Sequence, residues 1–158
     1  MTPEHAAKLA NLVRSREAAA LGTLHAGAPF VSMVPYAVLP DGSGFVIHVS
    51  RLAGHTKDML AEPRVSLLVM QPEGEGVAAQ ALARVSIQGE AREMARESDG
   101  ERECREAYLS RFPEAAPLAG FADFSFFLIR PSQARFVAGF AQAMSVTAET
   151  LAAALRAR

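Results

Sequence analysis

The sequence predicts a mainly β fold with flanking helices, and three observations lead to this class. Apolar residues alternate with a period of two through much of residues 20–140, which is typical of strands. Turn-forming runs such as "HAGAP" and "PDGSG" separate these strands. No strand–helix–strand repeat typical of a parallel sheet occurs. We therefore predict one domain over residues 1–158, built on an antiparallel barrel at about 20–140.

Helical patterns lie at both ends of this barrel. The first helix is predicted over residues 3–19, with Thr2 as its cap and Pro3 at its first position. A terminal helix is predicted at about residues 147–158, where Thr147 can cap it.

The strands differ in their predicted burial. In the third strand Phe45, Ile47 and Val49 share one face, opposite to Val46, His48 and Ser50. The second strand, residues 30–39, is apolar on both faces, which predicts burial on both sides at a barrel wall that also forms a subunit contact. Pro35 predicts a bulge or a backbone site within it. Residues 121–140 predict two strands broken at Pro131.

Composition and charge exclude several classes of function. A net charge of −1 and a pI of about 6.4 argue against a nucleic-acid binder. The single cysteine, Cys104, excludes an internal disulfide. No signal peptide or membrane-length apolar run is found, so we expect a cytoplasmic protein with no membrane association. The histidines at positions 5, 25, 48 and 55 lack metal-site spacing, so we predict no metal site.

The segment from residue 50 to residue 61 is the strongest candidate for a binding site. A helix starting near residue 54 would present free backbone N–H groups to an anion. Ser50 precedes it, and His55 and Thr56 lie in its first turn, so these side chains could contact a phosphate group. Arg51 and Lys57 would add positive charge. The alternative is a solvated connection with an ordinary capping threonine.

Arg84 has two interpretations as well. It lies on the polar face of a long predicted strand beside Ser86 and Gln88. Such an arginine is usually exposed to solvent, but in a barrel wall the same face can border a cofactor groove.

Five ordered stretches carry a resemblance to a known family. They are "ALGTLHAGAPFVSMVPYAV", "DGSGFVIHVSRLAGHTKDMLAEPRVSLLV", "ALARVSIQGEA", "AYLSRFPEA" and "DFSFFLIRPSQARFVAGFAQA". Together the sequence resembles the pyridoxamine 5'-phosphate oxidase-like FMN-binding split-barrel family, and is most similar to its HugZ-type haem-utilisation branch. The resemblance implies a six-stranded antiparallel split β-barrel. It also implies a homodimer that binds FMN at the subunit interface and acts on a small-molecule substrate.

The resemblance also implies which residues bind the cofactor. The oxidases' phosphate-binding Arg-Lys pair falls on His55 and Thr56, and their glutamine on the long strand falls on Arg84. Backbone contacts fall on the second strand and on the end of the third. The residues implied by the resemblance are Val31, Ser32, Met33, Val34, Val49, Ser50, His55, Thr56 and Arg84. Arg51 and Lys57, the supporting charges noted above, complete the candidate cofactor-binding set.

Departures from the family pattern shape the functional hypotheses. The substrate-binding end of the oxidases has no counterpart, and the chain has no tryptophan. Haem-degrading members use a histidine near the C-terminus, whereas this chain has none after His55, so His55 or His48 would have to substitute. The leading hypothesis is an FMN-dependent oxidoreductase of unknown substrate, with no catalytic acid or base identified. The alternatives are a haem-binding or haem-degrading HugZ-like protein and a non-catalytic barrel dimer.

Overall fold

The computed structural model describes residues 1–156, and within them it contains eight strands and four α-helices. The strands are β1 (Ala18–His25), β2 (Ala28–Pro35), β3 (Ala37–Val38), β4 (Phe45–Ser50), β5 (Arg64–Met70), β6 (Arg84–Glu93), β7 (Phe124–Val137) and β8 (Ala143–Thr147). The helices are α1 (Pro3–Ser15), α2 (Gly54–Ala61), α3 (Asp99–Arg111) and α4 (Ala148–Leu155).

All strands pair in antiparallel fashion within one curled sheet. The path of neighbouring strands runs β2-β1-β5-β6-β7-β4-β3, and β8 pairs with the second half of β7. This arrangement confirms the mainly β, antiparallel split-barrel class. The structure divides the sheet into eight strands where the resemblance implied six, because β3 has only two residues and β8 was not foreseen.

Two predicted boundaries are wrong at the N-terminal half of the chain. Helix α1 ends at Ser15 rather than at residue 19, and β1 begins at Ala18, where Ala18 pairs with Pro35. The predicted second strand is interrupted between Pro35 and Ala37. Proline has no N–H for the ladder, so the predicted irregularity near Pro35 takes the form of a strand end.

The predicted break at Pro131 is also wrong, because β7 runs through this residue. The register between β6 and β7 shifts at Gln88 and Gly89, and Ser132 is the extra residue of the resulting bulge. Ser132 donates its hydroxyl proton to the Gln88 carbonyl at 3.2 Å. A β-carbon on Gly89 would lie well inside van der Waals distance of the Arg130 carbonyl oxygen, so this position requires glycine.

The main core lies on the concave side of the sheet. The predicted face of β4 (Phe45, Ile47 and Val49) is confirmed as part of it, together with Leu9 of α1 and Leu151 of α4. These apolar contacts anchor both terminal helices. The predicted terminal helix is confirmed at residues 148–155, and Thr147 accepts a hydrogen bond from the backbone N–H of Thr150 as its cap. Residues 157 and 158 of the prediction lie outside the described part.

A second apolar cluster lies beneath α3 on the opposite side of β4. Cys104 and Tyr108 of α3 pack there against Val46 and Phe126. Within the single chain, β4 is therefore the strand that is buried on both faces. Burial of the second strand by a subunit contact stays a prediction. Strand β2 lies at the end of the sheet path, where Val31 and Met33 are exposed. Within residues 1–156, no helix combines the length and apolar character needed to cross a bilayer.

Candidate functional site

Helix α2 begins at Gly54, as predicted, and its first turn lacks a side-chain cap. Its N-cap residue is Ala53, and no side chain accepts a hydrogen bond from the first N–H groups. By contrast, Thr2 and Ser98 cap α1 and α3. An uncapped helix start concentrates unpaired N–H donors and the positive end of the helix dipole. This geometry suits an anionic group.

The side chains around this helix start are less basic than the sequence suggested. Ser50 donates its hydroxyl proton to Asp123 at 3.0 Å, and its oxygen accepts the Leu52 N–H at 3.1 Å. Arg51 forms an ion pair with Glu93, which neutralises the proposed supporting charge. The carboxylate of Asp123 beside Ser50 would also repel a phosphate.

The two residues at the positions of the oxidase Arg-Lys pair have different environments. His55 is half-buried, and its Nδ1 lies 3.1 Å from the Ser32 hydroxyl of β2. Burial lowers the pKa of His55, and the charge of Asp58 opposes this shift. Thr56 is fully buried, and its Oγ1 has no hydrogen-bond partner within residues 1–156. It is not the helix cap, and its hydroxyl points into protein. Lys57 is exposed.

The remaining implied residues lie in three places. Strand β2 carries Val31, Ser32, Met33 and Val34 at the free end of the sheet, so one edge of its backbone lacks a partner strand within the described residues. Val49 is buried in the core. Arg84 begins β6 opposite Met70, and its guanidinium donates to the Leu82 carbonyl at 2.9 Å. The structure therefore joins Ser32 to His55 but holds Arg84 in its own local contacts.

His48 does not fit the role of a substitute haem ligand. Its ring is 8% exposed and stacks on Phe126 at a centroid distance of 4.2 Å. Tyr108 and Phe124 pack against it from other sides. Its Nε2 is enclosed and has no hydrogen-bond partner in the described chain. Burial lowers the pKa of His48 to about 4. His48 therefore belongs to the cluster beneath α3.

A histidine–aspartate pair that no sequence pattern indicated joins α2 to β1. Asp58, 5% exposed, lies on α2, and its Oδ1 is 2.7 Å from Nδ1 of His25 at the end of β1. Its Oδ2 accepts a 2.9 Å hydrogen bond from Thr23. The His25 bond is the main cause that lowers the pKa of Asp58, with help from Thr23 and against the effect of burial. The His25 side chain is 70% exposed. The pair spans 33 residues of sequence, and no local motif signals it.

An open groove of about 820 Å³ lies along β1 and β2. His25 and Asp58 are not among its lining residues, because the side chains of Thr23 and His25 face α2 while those of Leu24, Pro29 and Val31 face the other side of the hairpin. One wall is apolar and comes from the β1–β2 hairpin: Leu24, Pro29, Phe30 and Val31. Arg64 of β5 and Arg130 of β7 line the groove from the other strands. Phe30 is also a neighbour of His25, with ring centroids 6.4 Å apart. The groove thus combines an apolar wall with two arginines and the carboxylate of Glu90, which lies between them on β6, and such a mixed lining is typical of ligand sites.

Comparison with known proteins gives consistent results. A family profile described as "Pyridoxamine 5'-phosphate oxidase" matches residues 5–138. "Non-canonical heme oxygenase HOZ, chloroplastic" from Arabidopsis thaliana is 39% identical over 117 residues, which cover 74% of this chain and 34% of that protein. "Heme oxygenase HutZ" from Vibrio cholerae is 31% identical over 142 residues, which cover 87% of this chain and 78% of that protein.

A solved structure is similar over nearly the whole chain. The heme binding protein from Mycobacterium smegmatis superposes with a TM-score of 0.85 and 30% identity, and the match covers 97% of this chain and 62% of that one. The chain therefore spans about a third of the plant relative and less than two thirds of the mycobacterial one. With its curled antiparallel sheet and these matches, the chain belongs to the pyridoxamine 5'-phosphate oxidase-like split-barrel family, in the branch of HugZ-type haem proteins.

Proposed function

We propose that this protein binds haem and takes part in its oxidative degradation. Relatives named as haem oxygenases or as a haem binding protein support this haem alternative over the FMN-dependent oxidoreductase that the sequence analysis placed first. The structural observation that carries the proposal is the groove beside β1 and β2, because its two kinds of lining match the two parts of a haem molecule.

The fit follows from the chemistry of the groove. Haem is a flat, largely apolar ring with two carboxylates on one edge. Leu24, Pro29 and Val31 share one face of the hairpin, and Val31 is 68% exposed, so covering this face with an apolar ring removes carbon surface from water. Arg64 and Arg130 supply cations that can pair with carboxylates. Arg64 already forms an ion pair with Glu62 at 2.8 Å. Its contribution to haem binding therefore depends on how far the haem carboxylate replaces Glu62 as its partner.

The residues of the chain would position haem rather than perform the redox chemistry. When bound, haem itself supplies the site of oxygen chemistry. The apolar wall would exclude water from one face of the ring, and Arg64 and Arg130 would fix its orientation. Ser66 and Gln88 add hydrogen-bonding groups on the floor of the groove. In cofactor-dependent oxidation the protein usually binds and orients the cofactor, and the cofactor carries out the redox chemistry.

Titration with haemin, followed by the Soret absorption band, tests this proposal. We expect a saturable shift of the band. Replacing both groove arginines, Arg64→Ala with Arg130→Ala, should weaken binding about tenfold, since exposed ion pairs contribute up to about 1 kcal/mol each. Arg102→Ala is the matched control, because Arg102 is an exposed arginine of α3 paired with Asp99. Absence of a saturable shift in the unaltered protein would refute haem binding.

Degradation requires a separate measurement. The haem-loaded protein, supplied with a reductant and O₂, should lose its Soret band and release iron together with an open-chain tetrapyrrole. Catalase is included to remove free peroxide, which attacks haem without any protein contribution. A Soret band that persists under these conditions would leave haem binding intact but would refute the degradative activity.

FMN binding is a second candidate, and the uncapped start of α2 favours it. Unpaired N–H groups at Gly54 and its neighbours are suited to a phosphate. In the structure Ser50 donates to Asp123 and Thr56 is enclosed, so these hydroxyls would have to turn towards the phosphate when FMN binds. If they do, the double variant Ser50→Ala with Thr56→Ala should weaken FMN binding by roughly 1.5–3 kcal/mol for each charge-assisted hydrogen bond lost. Quenching of FMN fluorescence measures the affinity, and an unchanged value would place the phosphate away from both hydroxyls.

The cofactor groove is proposed to lie at the interface of a homodimer. Val31 and Met33 project from the end strand β2 with 68% and 62% exposure, and such apolar exposure on a flat strand favours coverage by a second copy. Met33→Glu should therefore shift sedimentation towards the monomer. Leu118→Glu, at an exposed site near α3, is the control. A monomeric unaltered protein, or a dimer indifferent to Met33→Glu, would contradict this interface.

A further inference from the structure

We infer that protonation of His48 releases α3 from the sheet while the rest of the fold stays intact. This conformational response to acid is independent of the proposed haem-binding function. It follows from the enclosure of the His48 ring, from the charges around that ring and from the part of the core that α3 covers.

The site around His48 accepts only a neutral imidazole. The ring faces α3, and the rings of Phe124, Phe126 and Tyr108 surround it at centroid distances of 5.1, 4.2 and 5.7 Å. Its Nε2 is enclosed and has no hydrogen-bond partner within residues 1–156. A cavity of only about 10 Å³ lies next to the ring, which is room for one water molecule at most. A protonated ring carries a charge and two N–H donors, so it needs hydration that the closed site does not provide.

The charged groups that face His48 from α3 and from the segment before it do not compensate for a proton. Arg105 of α3 and Arg96 oppose protonation, and Glu101 of α3 favours it. Glu101 already accepts two hydrogen bonds from Arg105, at 2.6 and 3.0 Å. Burial raises the pKa of Tyr108, so this neighbour is uncharged. Burial is also the largest cause that lowers the pKa of His48 from 6.5 to about 4, and Arg105 comes next.

Helix α3 covers a part of the core that is separate from the rest. Cys104 and Tyr108 of α3 pack with Val46 and Phe126 in the cluster beneath α3, whereas the main core lies on the other side of β4. Movement of α3 away from the sheet therefore hydrates His48 and leaves the main core packed. An element that covers a small separate cluster opens at a lower free energy than the whole domain.

Proton linkage gives the size of the response. When α3 is released, the pKa of His48 returns from about 4 to its ordinary value of 6.5. The closed state is therefore fully favoured above pH 6.5 and is progressively destabilised as the pH falls towards 4. From these two pKa values, the equilibrium constant for opening of α3 should rise roughly 30-fold between about pH 8 and about pH 5.

Thiol labelling of Cys104 in the full-length chain measures this opening. Cys104 is the single cysteine and is 1% exposed beneath α3, so a reagent such as dithiodipyridine reaches it only in the open state. Labelling of the same chain unfolded in urea gives the intrinsic rate at each pH. The ratio of the folded to the unfolded rate should rise roughly 30-fold between about pH 8 and about pH 5. Low urea concentrations should change this ratio only slightly, because release of one helix exposes less surface than global unfolding.

Three variants separate the titration of His48 from other causes of opening. His48→Phe should abolish the rise, because phenylalanine keeps the aromatic packing and binds no proton. Ser98→Ala is the matched control, since it removes the cap of α3 without changing a titratable group. It should increase labelling about fivefold at every pH and keep the rise. Glu101→Gln should also keep the rise, because the carboxylate is not its source. Far-ultraviolet circular dichroism establishes that each variant is folded.

The outcomes are specific to α3 and His48. A ratio that stays constant between about pH 8 and about pH 5 in the unaltered protein would refute the inference, and so would an equal rise in His48→Phe. A rise with the urea dependence of global unfolding would show that acid unfolds the whole domain, and the inference would fail as well. The result of the haemin titration does not bear on any of these outcomes.

Discussion

Replacing His48 with phenylalanine should remove much of the acid sensitivity of this fold. His48 is 8% exposed and lies among the rings of Phe126, Phe124 and Tyr108. Burial is the main cause that lowers its pKa from 6.5 to about 4. The charge of Arg105 acts in the same direction, Glu101 opposes it, and Arg96 contributes a smaller lowering. The native state therefore favours the neutral imidazole.

The size of the loss in unfolding free energy at low pH follows from proton linkage. Above pH 6.5 the imidazole is neutral in both states, so the full stability is present. As the pH falls from 6.5 towards 4, the unfolded chain binds a proton that the native state excludes, and stability is lost. At about 1.4 kcal/mol per pH unit, the total loss reaches roughly 3 kcal/mol. Phenylalanine has no such titration and keeps the aromatic packing.

Urea unfolding at several pH values between about 7 and 4.5 measures this effect. The chain has no tryptophan, so far-ultraviolet circular dichroism is the suitable signal. The difference in unfolding free energy between His48→Phe and the unaltered protein should change by roughly 2–3 kcal/mol over this range, in favour of the variant at low pH. Other carboxylates and histidines titrate in both proteins and cancel. Parallel stability curves would refute the linkage argument.

Two further predictions concern single positions in the fold. Gly89→Ala should destabilise the protein by about 1–3 kcal/mol or more, because the new methyl group overlaps the backbone of Arg130. Gly74→Ala, where the added carbon meets open space, is its control, and equal melting temperatures for the two variants would contradict the bulge geometry. Ser98→Ala should cost about 1 kcal/mol, since Ser98 caps α3 by accepting the N–H of Glu101 at 3.1 Å. An unchanged urea midpoint for Ser98→Ala would show that water replaces this cap without loss.

Local signals in the sequence were sufficient for several elements. Period-two alternation identified the two faces of β4, and one of them, Phe45, Ile47 and Val49, is confirmed in the core. Cap residues and glycine identified the starts of α1 and α2. The boundaries of α1 and β1 were wrong because alanine-rich segments fit both a helix and a strand until tertiary contacts select one.

The candidate site depended more strongly on distant contacts. The segment around Ser50, His55 and Thr56 was found from its composition, and its role in phosphate binding stays a prediction. The sequence pattern could not show that Asp123 lies beside Ser50 and that Glu93 pairs with Arg51. Both carboxylates make the segment less suited to binding an anion. Glu93 ends β6 and Asp123 lies directly before β7, so both partners are far away from residues 50 and 51 along the chain.

By itself, the sequence determined the antiparallel split-barrel class and the start of the helix that follows β4, because the first depends on period-two alternation and the second on a glycine after a strand pattern, both within short windows. Only the tertiary structure decided which strand lies at the end of the sheet and which is covered on both sides. It also decided that His25 meets Asp58 across 33 residues. Strand order and helix docking bring such groups together, and no local pattern encodes that proximity.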